Sequence, residues 1–130
     1  MAYHYSRVVD LPFDRAVEAV VESLKDQGFG VLTDIDVAAT LKKKLDVGFR
    51  PYRILGACNP TMALKALQME NKIGTMLPCN VIVQQLENGA IEVSAIDPVE
   101  SMRRVENENL LEVAQHVRSL LIDAVDAVKA

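Results

Sequence analysis

Residues 79–96 decide the fold, and they read CNVIVQQLENGAIEVSAI. Two runs rich in β-branched residues flank Asn88-Gly89, and Asn-Gly between such runs is the strongest short-range signal for a β-hairpin. The segment therefore predicts two antiparallel strands, over 79–86 and 90–96. A two-residue turn at Asn88-Gly89 would set Asn80 opposite Asp97.

This register predicts which side chains share each face of the sheet, because side chains alternate along a strand. One face, expected to meet the long helices, holds Leu86, Gln84, Ile82 and Asn80 with their partners Ile91, Val93, Ala95 and Asp97. The other face holds Cys79, Val81, Val83 and Ile96, with Gln85 and Glu92 near the turn. Since both faces carry apolar residues, the sheet needs two covers. We expect short helices to supply part of the second cover and another copy of the chain the rest, as a homodimer.

The rest of the chain predicts strands and helices around this hairpin. Hydrophobic periodicity predicts, in order, a strand over 3–9, a helix from 13 to about 27, a strand over 29–35, a short helix from 37, a strand over 52–58, a helix from 60 and a long helix from about 109. Asp10, Asp36 and Asn59 are predicted helix caps, and Asn109 with Glu112 fits a capping box. We therefore expect an antiparallel sheet gripped by helices, with the two short middle helices inserted between neighbouring strands.

Composition limits the classes of function. The 130 residues fit a single domain over 1–130, and a net charge of −4 disfavours a general nucleic-acid role. No apolar run reaches the ~18 residues that a membrane span needs, and the N-terminus lacks the pattern of a signal peptide. These features predict a cytoplasmic protein whose two cysteines are free thiols.

A repeated dipeptide marks the candidate site. Both cysteines are followed by Asn and lie beside a proline, in Ala57-Cys58-Asn59-Pro60 and Leu77-Pro78-Cys79-Asn80. If the strands that end at Cys58 and begin at Cys79 are antiparallel neighbours, both dipeptides meet at one edge with Asp97. If those strands are parallel, a strand length of roughly 15–20 Å separates the cysteines.

Each residue at this edge has a functional and a structural interpretation. Cys58 precedes a helix N-terminus, which lowers a thiol pKa, so it is the candidate nucleophile or ligand, with Cys79 as its resolving or second partner. Both cysteines could equally be small buried residues. Asn59 fits a helix cap. Asn80 and Asp97 could form a buried polar pair or contact a ligand. Glu70 could face the cleft or lie on a solvated helix face.

Familiar catalytic and metal patterns are missing from the sequence. It has no Cys-x-x-Cys, and His4 and His116 show no ligand spacing, so we predict no metal site. It also lacks a Ser/His/Asp order, a phosphate-binding glycine loop and a paired-carboxylate motif. The sequence therefore assigns no cofactor and leaves open whether the protein is an enzyme.

Four segments resemble a bacterial and archaeal family, the domain of unknown function 302. They are residues 28–36 (GFGVLTDID), 52–60 (YRILGACNP), 77–81 (LPCNV) and 95–98 (AIDP). The resemblance implies a TATA-binding-protein-like β-α-β4-α unit with two extra short helices, a helix-grip α+β fold, and a dimer. It implies no activity and no DNA binding.

The sequence leaves three functions open. The first is a small cytosolic α+β homodimer that binds a small ligand, or performs thiol chemistry, at the Cys58/Cys79 edge. The second is a non-catalytic structural or protein-interaction module in which the Cys-Asn motifs lock strand ends to helix starts. The third is a metal site shared across the dimer.

Overall fold

A computed structural model describes residues 2–128. The elements are β1 (His4–Val9), α1 (Phe13–Asp26), β2 (Gly30–Asp36), α2 (Val37–Leu45), β3 (Tyr52–Cys58), α3 (Pro60–Met69), a 3₁₀ turn (Ile73–Met76), β4 (Cys79–Gln85), β5 (Ile91–Ile96), α4 (Pro98–Ser101) and α5 (Glu108–Ala127). Among these helices, none within residues 2–128 is long and apolar enough to span a bilayer.

The five strands form one sheet in the order β1-β5-β4-β3-β2, with every neighbouring pair antiparallel. Helices α1 and α5 pack against each other and against one face of this sheet. Their apolar stripes bury a shared core. Its members include Val17, Val20, Leu24, Leu55, Val81, Val83, Val93 and Leu121. The α+β class, the antiparallel sheet and the insertion of α2 and α3 between neighbouring strands are confirmed.

The hairpin register differs from the predicted one by a single residue. Gln85 pairs with Ile91, and Val81 pairs with Ala95. The Leu86 N–H donates to the Ala90 carbonyl at 2.8 Å, and Gly89 has a φ of +88°. The loop therefore holds three residues, 87–89, and glycine at its last position permits the left-handed conformation that such a loop needs.

This shift exchanges the two faces of β4, because a slip of one residue reverses every side chain. The prediction was right for β5, whose Val93 and Ala95 are buried under the helices. It was wrong for β4, where Val81 and Val83 lie in the core. Three residues of β4, Asn80, Ile82 and Gln84, instead line a shallow groove on the opposite face, which we call the outer face.

The helix caps were predicted with mixed success. The side chains of Asp36 and Asn59 accept N–H groups of α2 and α3, as expected. Asp10 is not a cap, because α1 begins after Pro12 with no side-chain cap among the described residues. Helix α5 begins earlier than predicted, so Asn107 caps it and accepts the N–H of Asn109 at 3.2 Å.

The two short helices lie at different places on the sheet, and α2 packs against β2 and β3. Helix α3 packs on α5, and with the 3₁₀ turn it forms a second small core around Ala66, Ile73 and Leu110. Every residue of α2 is described, and none is buried. This arrangement leaves a space between α3, α5 and the sheet edge.

Gly56 allows the close contact between β3 and the segment before β4. A Cβ on Gly56 would lie 2.7 Å from Cγ of Pro78 and 2.2 Å from Oγ1 of Thr33. Non-bonded carbons pack at about 3.5–4.0 Å, so any larger residue would push these neighbours apart.

We predict that Gly56→Ala destabilises the protein by about 1–3 kcal/mol, the usual cost of inserting a methyl group into a tightly packed site. Gly30→Ala is the matched control, since Gly30 lies on the neighbouring strand and nothing is within 4 Å of its Cβ position. Urea unfolding followed by circular dichroism would measure both variants. Equal stability of the two variants would contradict the packing argument.

Candidate functional site

The antiparallel pairing of β3 and β4 brings the two Cys-Asn dipeptides together. Ala57 is the cross-strand partner of Cys79, so Cys58 is the next residue along from that pair. With paired strands about 5 Å apart and a rise of about 3.4 Å per residue, the two cysteine Cα atoms lie roughly 6 Å apart. Both cysteines are free thiols, and the structure confirms that both lie at one edge of the sheet.

An apolar cavity lies at this edge. Its volume is about 270 Å³, and both cysteines line it. Among residues 2–128, its lining is apolar apart from Cys58, Asn59 and Cys79. Helices α3 and α5 supply apolar side chains to the lining, and so do β2 with the residue before it and the chain around β4 and α4. The larger apolar residues of the lining are Phe29, Leu32, Met62, Leu67, Leu77, Met102, Val113 and Val117.

Cys79 lies inside the core, with 8% of its surface exposed. Burial raises the pKa of this thiol from 9.0 to about 11, and the neighbouring Cys58 contributes to the increase. Burial has this effect because the charged thiolate loses solvation. Cys79 is therefore a protonated thiol at neutral pH and a poor nucleophile.

Cys58 occupies a different environment although it lines the same cavity. It is half-buried and directly precedes Asn59, the N-cap of α3. Backbone N–H groups and the dipole of α3 place positive potential at this end of the helix. Of the two thiols, Cys58 is the better candidate nucleophile, because it is partly exposed and lies at the N-terminus of α3.

Asn59 performs the capping role that the sequence predicts. Its Oδ1 accepts the N–H of Met62 at 3.3 Å, and the next residue, Pro60, fills the first turn. Gly28, with a φ of +87°, permits close approach, since a Cβ there would lie 3.2 Å from Asn59 Nδ2. The amide thus serves the helix and also forms part of the cavity wall.

The structure does not bring Asn80 to the cavity. It is exposed on the outer face, opposite Gly56 of β3. The predicted pair between Asn80 and Asp97 is wrong, because the one-residue shift of the hairpin places the two side chains on different faces.

Asp97 is buried beside the cavity but does not line it. Its Oδ1 accepts the N–H groups of Val99 and Glu100, which caps α4. Its Oδ2 lies 3.2 Å from Nε of Arg118 on α5. Asp97 therefore joins the end of β5 to two helices, which is a structural role.

Glu70 and the histidines lie outside the cavity. Glu70 is the C-cap residue of α3, and it is not among the described residues that line the cavity. Within residues 2–128, no three His, Cys, Asp or Glu side chains are grouped so that they could hold a metal ion.

Two methionines that the sequence analysis did not select line the cavity. Met62 lies in the first turn of α3, four residues after Cys58, and Met102 ends α4, beyond Asp97. The Cys58/Met62 spacing was visible in the sequence. The approach of Met102 was not, because it depends on how α4 packs against α5.

The comparisons with known proteins agree with this fold. Residues 5–128 match the family described as domain of unknown function DUF302. The chain belongs to the DUF302 family. The family resemblance of the four segments is thereby confirmed.

A solved structure of another DUF302 protein, an uncharacterised conserved protein from Bacillus stearothermophilus, shares this fold. It is 31% identical in sequence, its TM-score is 0.91, and the match covers 97% of this chain and 98% of that chain. The search of curated proteins found no match. Membership of DUF302 thus establishes the fold and carries no activity.

The different environments of the two thiols predict different reactivity. A pKa of about 11 in place of 9.0 lowers the thiolate fraction at neutral pH about 100-fold. We therefore expect Cys79 to be alkylated by iodoacetamide at least 100-fold more slowly in the folded protein than in urea. Peptide mass spectrometry would resolve Cys58 and Cys79 in one sample.

The rate at Cys79 should rise with pH up to about 11, because deprotonation then ceases to be limiting. Cys58 in the same sample is the internal control for reagent and pH. Equal rates at Cys79 in the folded and unfolded protein would contradict the buried, protonated thiol.

Proposed function

We propose that this DUF302 protein binds a small apolar ligand in the cavity, against the wall that holds Cys58 and Cys79. The observation that supports the proposal most is the apolar lining. Ligand sites are typically apolar with a few placed polar groups, and Cys58, Asn59 and Cys79 would be those groups here.

The size of the cavity limits the ligand. At about 270 Å³ it is larger than the ~150 Å³ cavity that admits benzene and smaller than most sites of ~300–1,000 Å³ for drug-sized ligands. A compound of one or two rings, or a short branched chain, fits this range. The half-exposed Leu67 lies at the boundary between cavity and solvent, which gives such a ligand a path of entry.

The two thiols would have separate roles in this proposal. Cys79 would be a neutral, weakly polar contact, because burial keeps it protonated. Any thiol-based activity would depend on Cys58, which lies before the N-terminus of α3. The free state of both thiols also fits a reducing compartment such as the cytoplasm.

The same proposal includes a homodimer that buries the outer face. Helices α1 and α5 cover the other face. Partly exposed apolar side chains remain on the outer face, among them Ile54, Ile82 and Ile96. The sequence predicts that a second copy of the chain covers part of the sheet. In the observed register, the face left for that copy is the outer face.

A structural role is the second candidate, and one observation favours it. Asn59 and Asp97 already have partners within the fold, since Asn59 caps α3 and Asp97 caps α4 and pairs with Arg118. In that case the motif joins strand ends to helix starts and needs no ligand.

Filling the cavity tests the ligand proposal. We expect small aromatic compounds such as indole to raise the melting temperature of the wild-type protein, because a ligand that binds the folded state stabilises it by mass action. Ala63 on α3 lines the cavity, so Ala63→Phe should remove this response.

Ala39→Phe is the matched control, since Ala39 is exposed on α2, and it should respond like the wild type. Differential scanning fluorimetry and ligand-observed NMR would measure binding. A wild-type protein that responds to none of a series of such compounds would favour the structural role.

Sedimentation tests the dimer. We expect a dimer at micromolar concentration that Ile82→Lys converts to a monomer, because a charge on the outer face would be buried without a partner. Leu111→Lys is the control, since Leu111 is exposed on α5, away from the sheet. A monomeric wild-type protein would contradict this part of the proposal.

A further inference from the structure

Four sulfur-containing side chains line the cavity. Both cysteines of the chain line it, and so do two of its five methionines, Met62 and Met102. We propose that these four side chains form a binding site for a soft monovalent cation, Cu⁺. The site uses the same cavity as the proposed apolar ligand but does not require that ligand.

The chain brings the four donors together in two pairs. Cys58 and Met62 flank the start of α3, and the Met62 N–H is fixed by the Asn59 side chain. Cys79 begins β4, next to β5, and Met102 ends α4, which follows β5 directly. The β3–β4 pairing that aligns Ala57 with Cys79 joins the two pairs at one cavity.

The chemistry of the donors selects the cation. Thiolate and thioether sulfurs are soft ligands and favour Cu⁺. Of the residues that the structure describes, those that line the cavity include no carboxylate and no imidazole. Hard ions such as Mg²⁺ need oxygen ligands, and structural Zn²⁺ sites are typically built from four Cys or His.

Charge and protons balance at this site. Binding releases the two thiol protons to solvent as two thiolate–Cu bonds form, and the two thioether sulfurs add as neutral donors, with the metal remaining Cu⁺ throughout. The resulting bis-thiolate complex carries one negative charge. The N-terminus of α3, a helix of ten residues, supplies positive potential beside Cys58 for that charge.

Titration of the reduced, full-length protein with Cu⁺ under anaerobic conditions tests the site. We expect one equivalent to bind, with a thiolate-to-copper absorption band in the ultraviolet, and bicinchoninate competition would give the affinity. Cys58→Ser and Cys79→Ser should each weaken binding more than about 100-fold, beyond the 10–100-fold typical of residues that do not touch the metal.

Methionine variants make the test specific to this geometry. Met62→Leu and Met102→Leu keep side-chain volume and should lower the Cu⁺ affinity, by less than the cysteine variants because a thioether is a neutral donor, while leaving the circular dichroism spectrum unchanged. Met69→Leu and Met76→Leu are matched controls, because both methionines are partly exposed and neither is among the lining residues described. Ag⁺, which does not change oxidation state, should bind with the same pattern.

Three results would overturn the proposal. They are unchanged Cu⁺ affinity in Cys79→Ser, equal effects of the cavity and control methionine variants, and Zn²⁺ binding as tight as Cu⁺ binding. In the wild-type protein, the indole response reports on the proposed apolar site and the Cu⁺ titration reports on this one, so each proposal has its own readout. Failure of one proposal is therefore distinguishable from failure of the other.

Discussion

The antiparallel pairing of β3 with β4 is the constraint on which the rest of the site depends. It sets Ala57 opposite Cys79, and so it makes the end of one strand and the start of the next a single edge. Helix α3 must leave that edge and the chain must return to it, which places α3 over the edge and against α5. The absence of a side chain at Gly56 lets Thr33 and Pro78 approach β3 closely. The cavity is the space that these apolar segments do not fill.

Much of this could be predicted from local sequence. The strand bounds of β3, the Asn59-Pro60 helix start and the Asn-Gly hairpin are local signals, and each was right about the type of element. The antiparallel order followed from the hairpin and the long final helix. The meeting of Cys58 and Cys79 followed in turn from that order, without any knowledge of side-chain packing.

The errors have equally physical causes. Asn88-Gly89 fits both a two-residue and a three-residue loop, and the difference of one residue inverted β4 and separated Asn80 from Asp97. A hydrophobicity argument could have corrected this, because Val81 and Val83 match the buried Val93 and Ala95 better than Ile82 and Gln84 do. Met102 and the partnership of Asp97 with Arg118 depend on how α4 and α5 pack, and no local pattern encodes them.

Both cysteines line one apolar cavity. A crystal structure of the protein under xenon pressure would test this placement, because xenon enters dry apolar cavities and scatters strongly. We expect a xenon atom between α3, α5 and the sheet edge, in contact with both Cys58 and Cys79. Sulfur atoms on opposite sides of the sheet, or a space at this edge that is filled by side chains and excludes xenon, would contradict it.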